Sequence, residues 1–479
     1  MRAYKEDFGR AGDLAAGFAQ TLFEQLEVLP ALPRLEPGQA LGALETDLPE
    51  EGRQLEDILA GFREHILPGM TVWNHPGFMA YFNSTASPAS LLSEMLITAT
   101  NANCMNWLSC PAGAELEEIA TGWLRQLLGL PEAFWGIIFE GGSLSSFHGM
   151  AAAREKVLGP AFREQGWQPG QPPLRAYATA HAHSSIAKAL MALGVGRQNI
   201  IDIPVDEAFR MQPEALEKQL RKDVEAGFRP LCVIATLGTT SCTAMDPVAD
   251  IADICQESGT WLHIDAAHAG PAAILEGCRP LFRGWEKADS ITVNPHKWMF
   301  LSLDTSVLFL RERQYLRGAF SLTPDYLKTA YDEQVTNYYD YGLTLGRRFK
   351  ALKLWANIRY FGRQGYARII GRHLELAAAL RFRMEKTPGF EILAPAPLST
   401  ICFRYLPPGR GLSAQAADAL NEKLLEAINR AGKVFLSPTR LNGRFTIRLV
   451  IAGLWVEEKQ VEEAWETIVQ CAGRLSHSQ

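Results

Sequence analysis

The sequence predicts an α/β protein: a mainly parallel sheet with helices on both faces, followed by a smaller α+β lobe. Three observations carry this. The middle of the chain alternates short apolar runs with helical patterns, as parallel strands joined by crossover helices do. Beyond about residue 355 the texture changes to long helices separated by short strands. The length of 479 residues is too great for one small core, so two or three lobes are expected.

Residues 1–87 read as an N-terminal arm. It opens with an amphipathic helix, continues through a stretch punctuated by Pro30, Pro33, Pro37 and Pro49, and has a second helix near 54–66. Such an arm cannot bury its apolar face alone and is expected to pack on another lobe or another subunit. Residues 88–355 form the expected large α/β domain. Strands are read at 137–139, 175–179, 199–203, 231–236, 261–265, 290–293 and 306–310. Helices follow the first strand to about 156, start near 184, and run over 249–257. Residues 356–479 form the expected small domain, with helices at 364–387, 414–431 and 457–472 and strands at 400–405 and 445–450.

Composition narrows the function classes. The net charge of −6 argues against nucleic acid as the main partner. The eight cysteines form no CxxC pair, so neither a zinc site nor a dense disulfide framework is expected, and no metal is assigned. Buried free thiols suit a reducing cytoplasm. No uncharged apolar run approaches the roughly 18 residues of a membrane helix, and the N-terminus lacks an apolar signal-peptide region. The expectation is a soluble, cytoplasmic protein with no membrane partner.

In open α/β sheets, ligands bind beyond the carboxyl ends of the strands, so these ends are where chemistry is sought. The first runs into Gly141-Gly142-Ser143-Leu144-Ser145 and then a helix. Glycines let the backbone approach an anion, and a helix N-terminus supplies N–H groups and partial positive charge. Ser143 and Ser145 add hydroxyl donors. This suits a phosphate, though the same residues also read as an ordinary helix cap. Neither a Walker A loop nor a GxGxxG fingerprint is present.

The next end carries His181-Ala182-His183-Ser184-Ser185, where an imidazole could stack on a flat ring. Thr236 to Ser241 is a small polar cap that could line a pocket. Asp265 ends an apolar strand, which places a carboxylate in a buried region where it needs a cationic partner; a helix cap or an internal arginine pair is the plainer alternative. Lys297 lies in Asn294-Pro295-His296-Lys297-Trp298. A lysine beside Pro, His and Trp near a strand end is unusual, because lysine is mostly solvated. Burial makes its amine a usable nucleophile toward carbonyl cofactors. A surface lysine beside a packing tryptophan is the plainer alternative. An anion site, an acid for a flat cationic ring and an amine for an aldehyde together describe pyridoxal phosphate.

With these motifs in view, the chain resembles the group II pyridoxal-phosphate-dependent amino-acid decarboxylases, most closely the aromatic-L-amino-acid decarboxylases. The resemblance runs from about residue 5 to the end. It rests on Asn-Pro-His-Lys-Trp at 294–298, His-Ile-Asp-Ala-Ala at 263–267, Ala-His-Ser-Ser at 182–185 and Leu-Gly-Arg-Arg-Phe at 345–349. It implies the type I fold of these enzymes, with a seven-stranded sheet, and a homodimer with sites at the subunit interface. It also implies roles for residues. Lys297 matches the Schiff-base lysine, Asp265 the partner of the pyridine nitrogen, Ala267 the small residue beneath the ring and His183 the stacking imidazole. Gly142, Ser143, Asn294 and His296 match positions around the phosphate, and Thr240 a threonine near the ring. Thr336-Asn337-Tyr338, within the segment 329–340, is similar to the mobile catalytic loop. Tyr338 matches the tyrosine that helps protonate Cα, and adjacent Tyr339 leaves that choice open by one position.

Trp73, Tyr81 and Phe82 match positions lining the substrate's aromatic pocket, with core packing as the alternative. Asn103 and Met105 stand where an aliphatic residue and a phenylalanine are expected from the partner subunit. Asn83 replaces a usual proline, and His268 a tyrosine. These departures make the pocket more polar. Arg448 matches a family arginine and also reads as part of a structural ion pair. The expected activity is decarboxylation of tyrosine, DOPA, tryptophan or 5-hydroxytryptophan. The alternatives are a histidine or acidic amino-acid decarboxylase, an aldehyde-forming oxidative deaminase, and a pyridoxal-phosphate-binding protein without catalysis.

Overall fold

The structure is a computed structural model that describes residues 2–322 and 331–477. The described chain divides into two compact units. One comprises residues 84–377 and 394–401, the other 1–83, 378–393 and 402–479.

The larger unit is built on a seven-stranded sheet. Its strands are β1 (Trp135–Phe139), β2 (Leu174–Ala178), β3 (Ile200–Asp202), β4 (Arg229–Thr236), β5 (Trp261–Asp265), β6 (Ser290–Val293) and β7 (Ser306–Leu310). Their order is β1-β7-β6-β5-β4-β2-β3. The run from β6 to β3 is parallel, whereas β7 is antiparallel to both β1 and β6. The strands are buried on both faces, as a sheet covered by helices requires. All seven strands expected from sequence are present, within a residue or two at their ends.

The helices of this unit are α4 (Pro88–Thr100), α5 (Pro111–Leu128), α6 (Gly142–Leu158), α7 (Pro160–Gln165), α8 (Ser184–Ala192), α9 (Pro213–Glu225), α10 (Val248–Ser258) and α11 (Arg313–Phe320), preceded along the chain by α1 to α3 of the smaller unit. Helix α6 starts directly at Gly142 and buries Ser145, Ser146, His148 and Met150 to Ala153 against the sheet. Helices α4, α5, α7, α9 and α11 were not read from the sequence. Four apolar residues of α4 (Leu91, Leu92, Met95 and Leu96) stand exposed, so its pattern does not report a core-facing stripe.

The smaller unit contains α1 (Arg2–Glu24), α2 (Gln39–Gly42), α3 (Leu55–Gly61), α13 (Ala414–Ala431) and α14 (Glu458–His477). Its sheet has the order β10-β11-β9-β8, from β8 (Phe390–Ile392), β9 (Thr400–Tyr405), β10 (Ser437–Leu441) and β11 (Arg444–Val450). The end of the arm is tied to this sheet: Phe435 N–H donates to Gly77 O, Met79 N–H to Phe435 O and Val450 N–H to Met79 O, each at 2.9–3.0 Å. The arm and the C-terminal residues, kept apart in the sequence reading, therefore belong to one compact unit. Helix α12 (Ala351–Lys386) kinks at Gly362, and the units change at 377.

Candidate active site

Parallel strands end on one edge of the larger unit, and chain order delivers a different chemical group to each end. Asp265 is the last residue of β5 and is 8% exposed. Its carboxylate accepts the Ala267 N–H at 3.0 Å, which pins the turn that follows. Asn294 N–H donates to Ala267 O at 3.0 Å, and Lys297 N–H donates to Asn294 O at 2.9 Å. The turn after β5 and the turn carrying Lys297 are thus laced together through the main chain. Lys297 is half-buried, and Trp298 behind it is fully buried.

His183 caps α8, its Nδ1 accepting the Ser185 N–H at 3.2 Å, with Ser185 Oγ at 2.8 Å. The residue is exposed by surface area, yet enough protein surrounds the ring to disfavour the imidazolium. Asp265 opposes that shift and Lys297 adds to it, so the net effect keeps His183 neutral. All three side chains are therefore close enough to act on one another electrostatically. Ala267 is half-buried beside Asp265, and Thr240 is exposed in the turn after β4.

At the neighbouring end, a Cβ placed on Gly142 would lie 2.6 Å from Asn294 Nδ2. Only glycine lets the first turn of α6 approach this amide so closely. Ser143 is exposed at the same helix start. Ser145 is not a second hydroxyl for the anion, contrary to expectation. It is fully buried and shares a 2.7 Å hydrogen bond with Ser306 Oγ, which in turn donates to Asn294 Oδ1 at 2.7 Å. The Ser145–Ser306 pair fixes the Asn294 amide with its NH2 toward the helix start, a positioning role that no sequence spacing discloses. Burial, and secondarily Lys297, lower the His296 pKa to about 3. His296 is thus a neutral structural ring held against Thr305, with Nδ1 2.6 Å from Thr305 O, and its carbonyl accepts the Ser84 hydroxyl at 2.6 Å.

These groups fit pyridoxal phosphate. The α6 N-terminus with Asn294 suits a phosphate, the Asp265 carboxylate a protonated ring nitrogen, His183 a ring face, and Lys297 an aldehyde.

The other expected residues have the following surroundings. Trp73 stacks on Phe78 at 4.4 Å and Tyr81 at 6.1 Å. Arg448 lies over Phe82 at 4.5 Å and donates to Tyr81 O at 2.6 Å. Asn83 is buried, and its Oδ1 has no hydrogen-bond partner. Asn103 is exposed and accepts the Arg347 N–H, with Met105 Sδ 3.6 Å from its amide. His268 does not add polarity to an open pocket as expected. It is 2% exposed and lies flat against Trp298 at 4.9 Å.

Tyr338 is packed against β1. It is 1% exposed, stacked with Trp135 at 6.2 Å, with the Arg347 guanidinium 4.5 Å from its ring. Arg347 is itself paired in two hydrogen bonds with buried Glu117, at 2.7 and 3.0 Å. Burial and the charges of Glu117 and Glu118 push the Tyr338 hydroxyl well above its ordinary pKa. Residues 329 and 330 of the expected loop lie outside the described residues. A cavity of about 610 Å³ beside this segment is lined by Trp107, Glu118, Arg125, Trp135 and Thr336, and none of the strand-end residues lines it.

The sheet order and the strand-end groups define a type I pyridoxal-phosphate enzyme. The chain matches the pyridoxal-dependent decarboxylase conserved domain over residues 37–406. It is 37% identical to aromatic-L-amino-acid decarboxylase of Sus scrofa, over 98% of this chain and 97% of the relative. It is 34% identical to phenylacetaldehyde synthase of a Rosa hybrid cultivar, over 97% and 93% of the two chains. The crystal structure of Oryza sativa TDC with pyridoxal phosphate and tryptamine superposes with a TM-score of 0.94 at 30% identity, covering 98% of this chain and 99% of the other. The chain belongs to the pyridoxal-dependent decarboxylase family and is a carboxy-lyase that uses this cofactor.

Proposed function

We propose that the substrate is an L-amino acid with an aromatic side chain, which leaves as the amine and carbon dioxide. The cluster of Trp73, Phe78 and Tyr81 carries this reading, because flat side chains are held best by offset or edge-on aromatic faces. The Sus scrofa relative is named for such substrates.

When bound, the cofactor supplies an electron sink for the pair left by the departing carboxylate. The protein's residues make that useful. Lys297 presents the amine that holds the cofactor aldehyde. Asp265 keeps a proton on the ring nitrogen. His183, neutral, covers a ring face without adding charge. The first turn of α6, Asn294 and Ser143 receive the phosphate, and Thr240 and Ala267 border the ring. Tyr338 returns a proton to Cα after leaving its buried position.

Each site works with a second copy of the chain, in a cytoplasmic homodimer. The exposed apolar face of α4 supports the dimer, since four such side chains on one helix suit a subunit contact. Eight free thiols suit the cytoplasm. An active monomer in light scattering at assay concentration would contradict the dimer.

A panel of amino acids on cofactor-loaded protein, with amine and carbon dioxide measured together, tests the substrate. Tyrosine, DOPA, tryptophan or 5-hydroxytryptophan should be turned over at least tenfold faster than histidine or glutamate. Preference for the latter pair would overturn the aromatic assignment. A second reading, aldehyde formation, is favoured by one observation, the sealing of Tyr338 away from solvent. Aldehyde, ammonia and peroxide as main products would select it.

A further inference from the structure

Cys104 and Cys110 flank the turn that leads into α5. Cys104 is 2% exposed, and its N–H donates to Arg347 O at 2.8 Å. Cys110 is half-buried and occupies the position before Pro111, the first residue of the helix. Gly113 lies within the first turn. A Cβ placed on it would stand 2.6 Å from Cys104 Sγ and 2.6 Å from Cys110 Sγ. Any side chain there would collide with both sulfurs, so the absence of one leaves the space that the two thiols share. Both sulfurs therefore converge on one small space beside Gly113.

We propose that Cys104 and Cys110 are a redox-modification site that forms a reversible intrachain disulfide. Only five residues separate them along the chain, and their sulfurs already converge, so closure to a bond of about 2.05 Å needs local side-chain rotation rather than refolding. The oxidant is a small disulfide such as oxidised glutathione. The Cys110 thiolate, as the accessible partner, attacks one of its sulfurs. That S–S bond breaks, and one glutathione leaves as a thiolate that takes up a proton. Cys104 then gives up its proton and attacks the Cys110 sulfur of the mixed disulfide, which expels the second glutathione. The protein loses two electrons and two protons, and one glutathione disulfide becomes two thiols. The order of attack follows from burial. Desolvation, the neighbouring Cys110 and the charge of Glu117 push the Cys104 thiol up, so it stays protonated and reacts second.

The bridge falls at a junction. Asn103 Oδ1 accepts the Arg347 N–H, Cys104 N–H donates to Arg347 O, Met105 O accepts the Tyr339 N–H, and Trp107 N–H donates to Asn337 Oδ1. Residues 103–107 therefore grip both sides of Tyr338. Oxidation fastens that grip to α5 and slows turnover. This consequence rests on the role given to Tyr338, whereas the disulfide itself does not.

The test uses the full-length, cofactor-loaded protein. It is incubated with oxidised glutathione, blocked with an alkylating agent and mapped by peptide mass. Titratable thiols should fall from the eight of the reduced chain by two, with a Cys104–Cys110 linked peptide that dithiothreitol removes. Cys104→Ser should stop at glutathione on Cys110, and Cys110→Ser should give no linked peptide. Retention of all eight thiols, or a linkage through other cysteines, would overturn the proposal. The wild-type map decides even if a variant fails to fold. Oxidised protein should turn over several-fold more slowly than the same sample after reduction, and an equal rate with the bridge formed would reject the regulatory consequence. Failure of the decarboxylase reading looks different, as no amine from the reduced protein.

Discussion

The turns that carry Asp265, Asn294 and Lys297 and the segment that carries Tyr338 lie in one unit but are held by different forces. The first set is tied by main-chain bonds at 2.9–3.0 Å and by the Ser145–Ser306–Asn294 chain. These positions are set before any ligand arrives. Tyr338 is held by an aromatic stack and a guanidinium over its ring, while its hydroxyl is buried with no hydrogen-bond partner. An unsatisfied buried hydroxyl costs about 1–3 kcal/mol, and an Arg–ring contact offsets about 0.5–2 kcal/mol of that. The turns proposed to receive the cofactor are fixed by hydrogen bonds, and Tyr338, the proposed proton donor, is buried at little net gain. On the proposed roles, groups that meet a cofactor are fixed early, whereas a donor needed after carbon dioxide leaves is kept from acting too soon.

Substitutions at the two regions should separate accordingly. Lys297→Ala should lower kcat by about 10³-fold or more with no loss of folded structure by circular dichroism. Tyr338→Phe should lower amine formation by about 10²-fold, the contribution of a positioned acid, and leave stability unchanged or up to about 1 kcal/mol higher. A variant equally slow but markedly less stable would mean that the tyrosine is only a core residue. Glu117→Ala strikes the frame under Tyr338. It leaves the Arg347 guanidinium buried and unpaired and should cost about 3–5 kcal/mol in urea unfolding. The Glu117→Ala, Arg347→Met pair should recover much of that loss.

The smallest effect per group is a pH dependence. Burial lowers the pKa of His148 and His263 to about 4 and that of His296 to about 3, from an ordinary 6.5. Below about pH 6.5 the unfolded chain binds protons that the folded chain refuses. The stability these rings contribute is complete above that pH and is lost as pH falls toward their folded values, by up to about 1.4 kcal/mol per pH unit for each ring. Asp246, raised by burial to about 6, acts in the opposite direction and offsets one of the three. Urea midpoints should therefore fall from about pH 7 to about pH 5. A flat or rising midpoint would contradict the burial of these histidines.

Much of this was legible in the chain. Runs such as 231–236 and 290–293 are apolar and β-branched because strands buried on both faces have no polar side to show. Lys297, Asp265 and His183 stood out as polar groups next to such runs. Less visible were features made by distant residues meeting. Strand β8 has three residues and β10 contains Pro438, so neither leaves a clear periodic trace. The exposed face of α4 hides its helix from a search for core stripes. Ser306 reaches Asn294 and Ser145 only through strand pairing, and Cys104 meets Cys110 only because Gly113 is bare. The stowed position of Tyr338 depends on Trp135, Glu117 and Arg347, which are far apart in the chain.

The central claim is that Lys297 holds the cofactor. Borohydride reduction of the cofactor-loaded wild-type protein, followed by peptide mass mapping, tests it directly. The reduced pyridoxyl group should be found on the peptide containing Lys297, at one per chain. A pyridoxyl group on any other lysine, or none retained after reduction, would contradict the account.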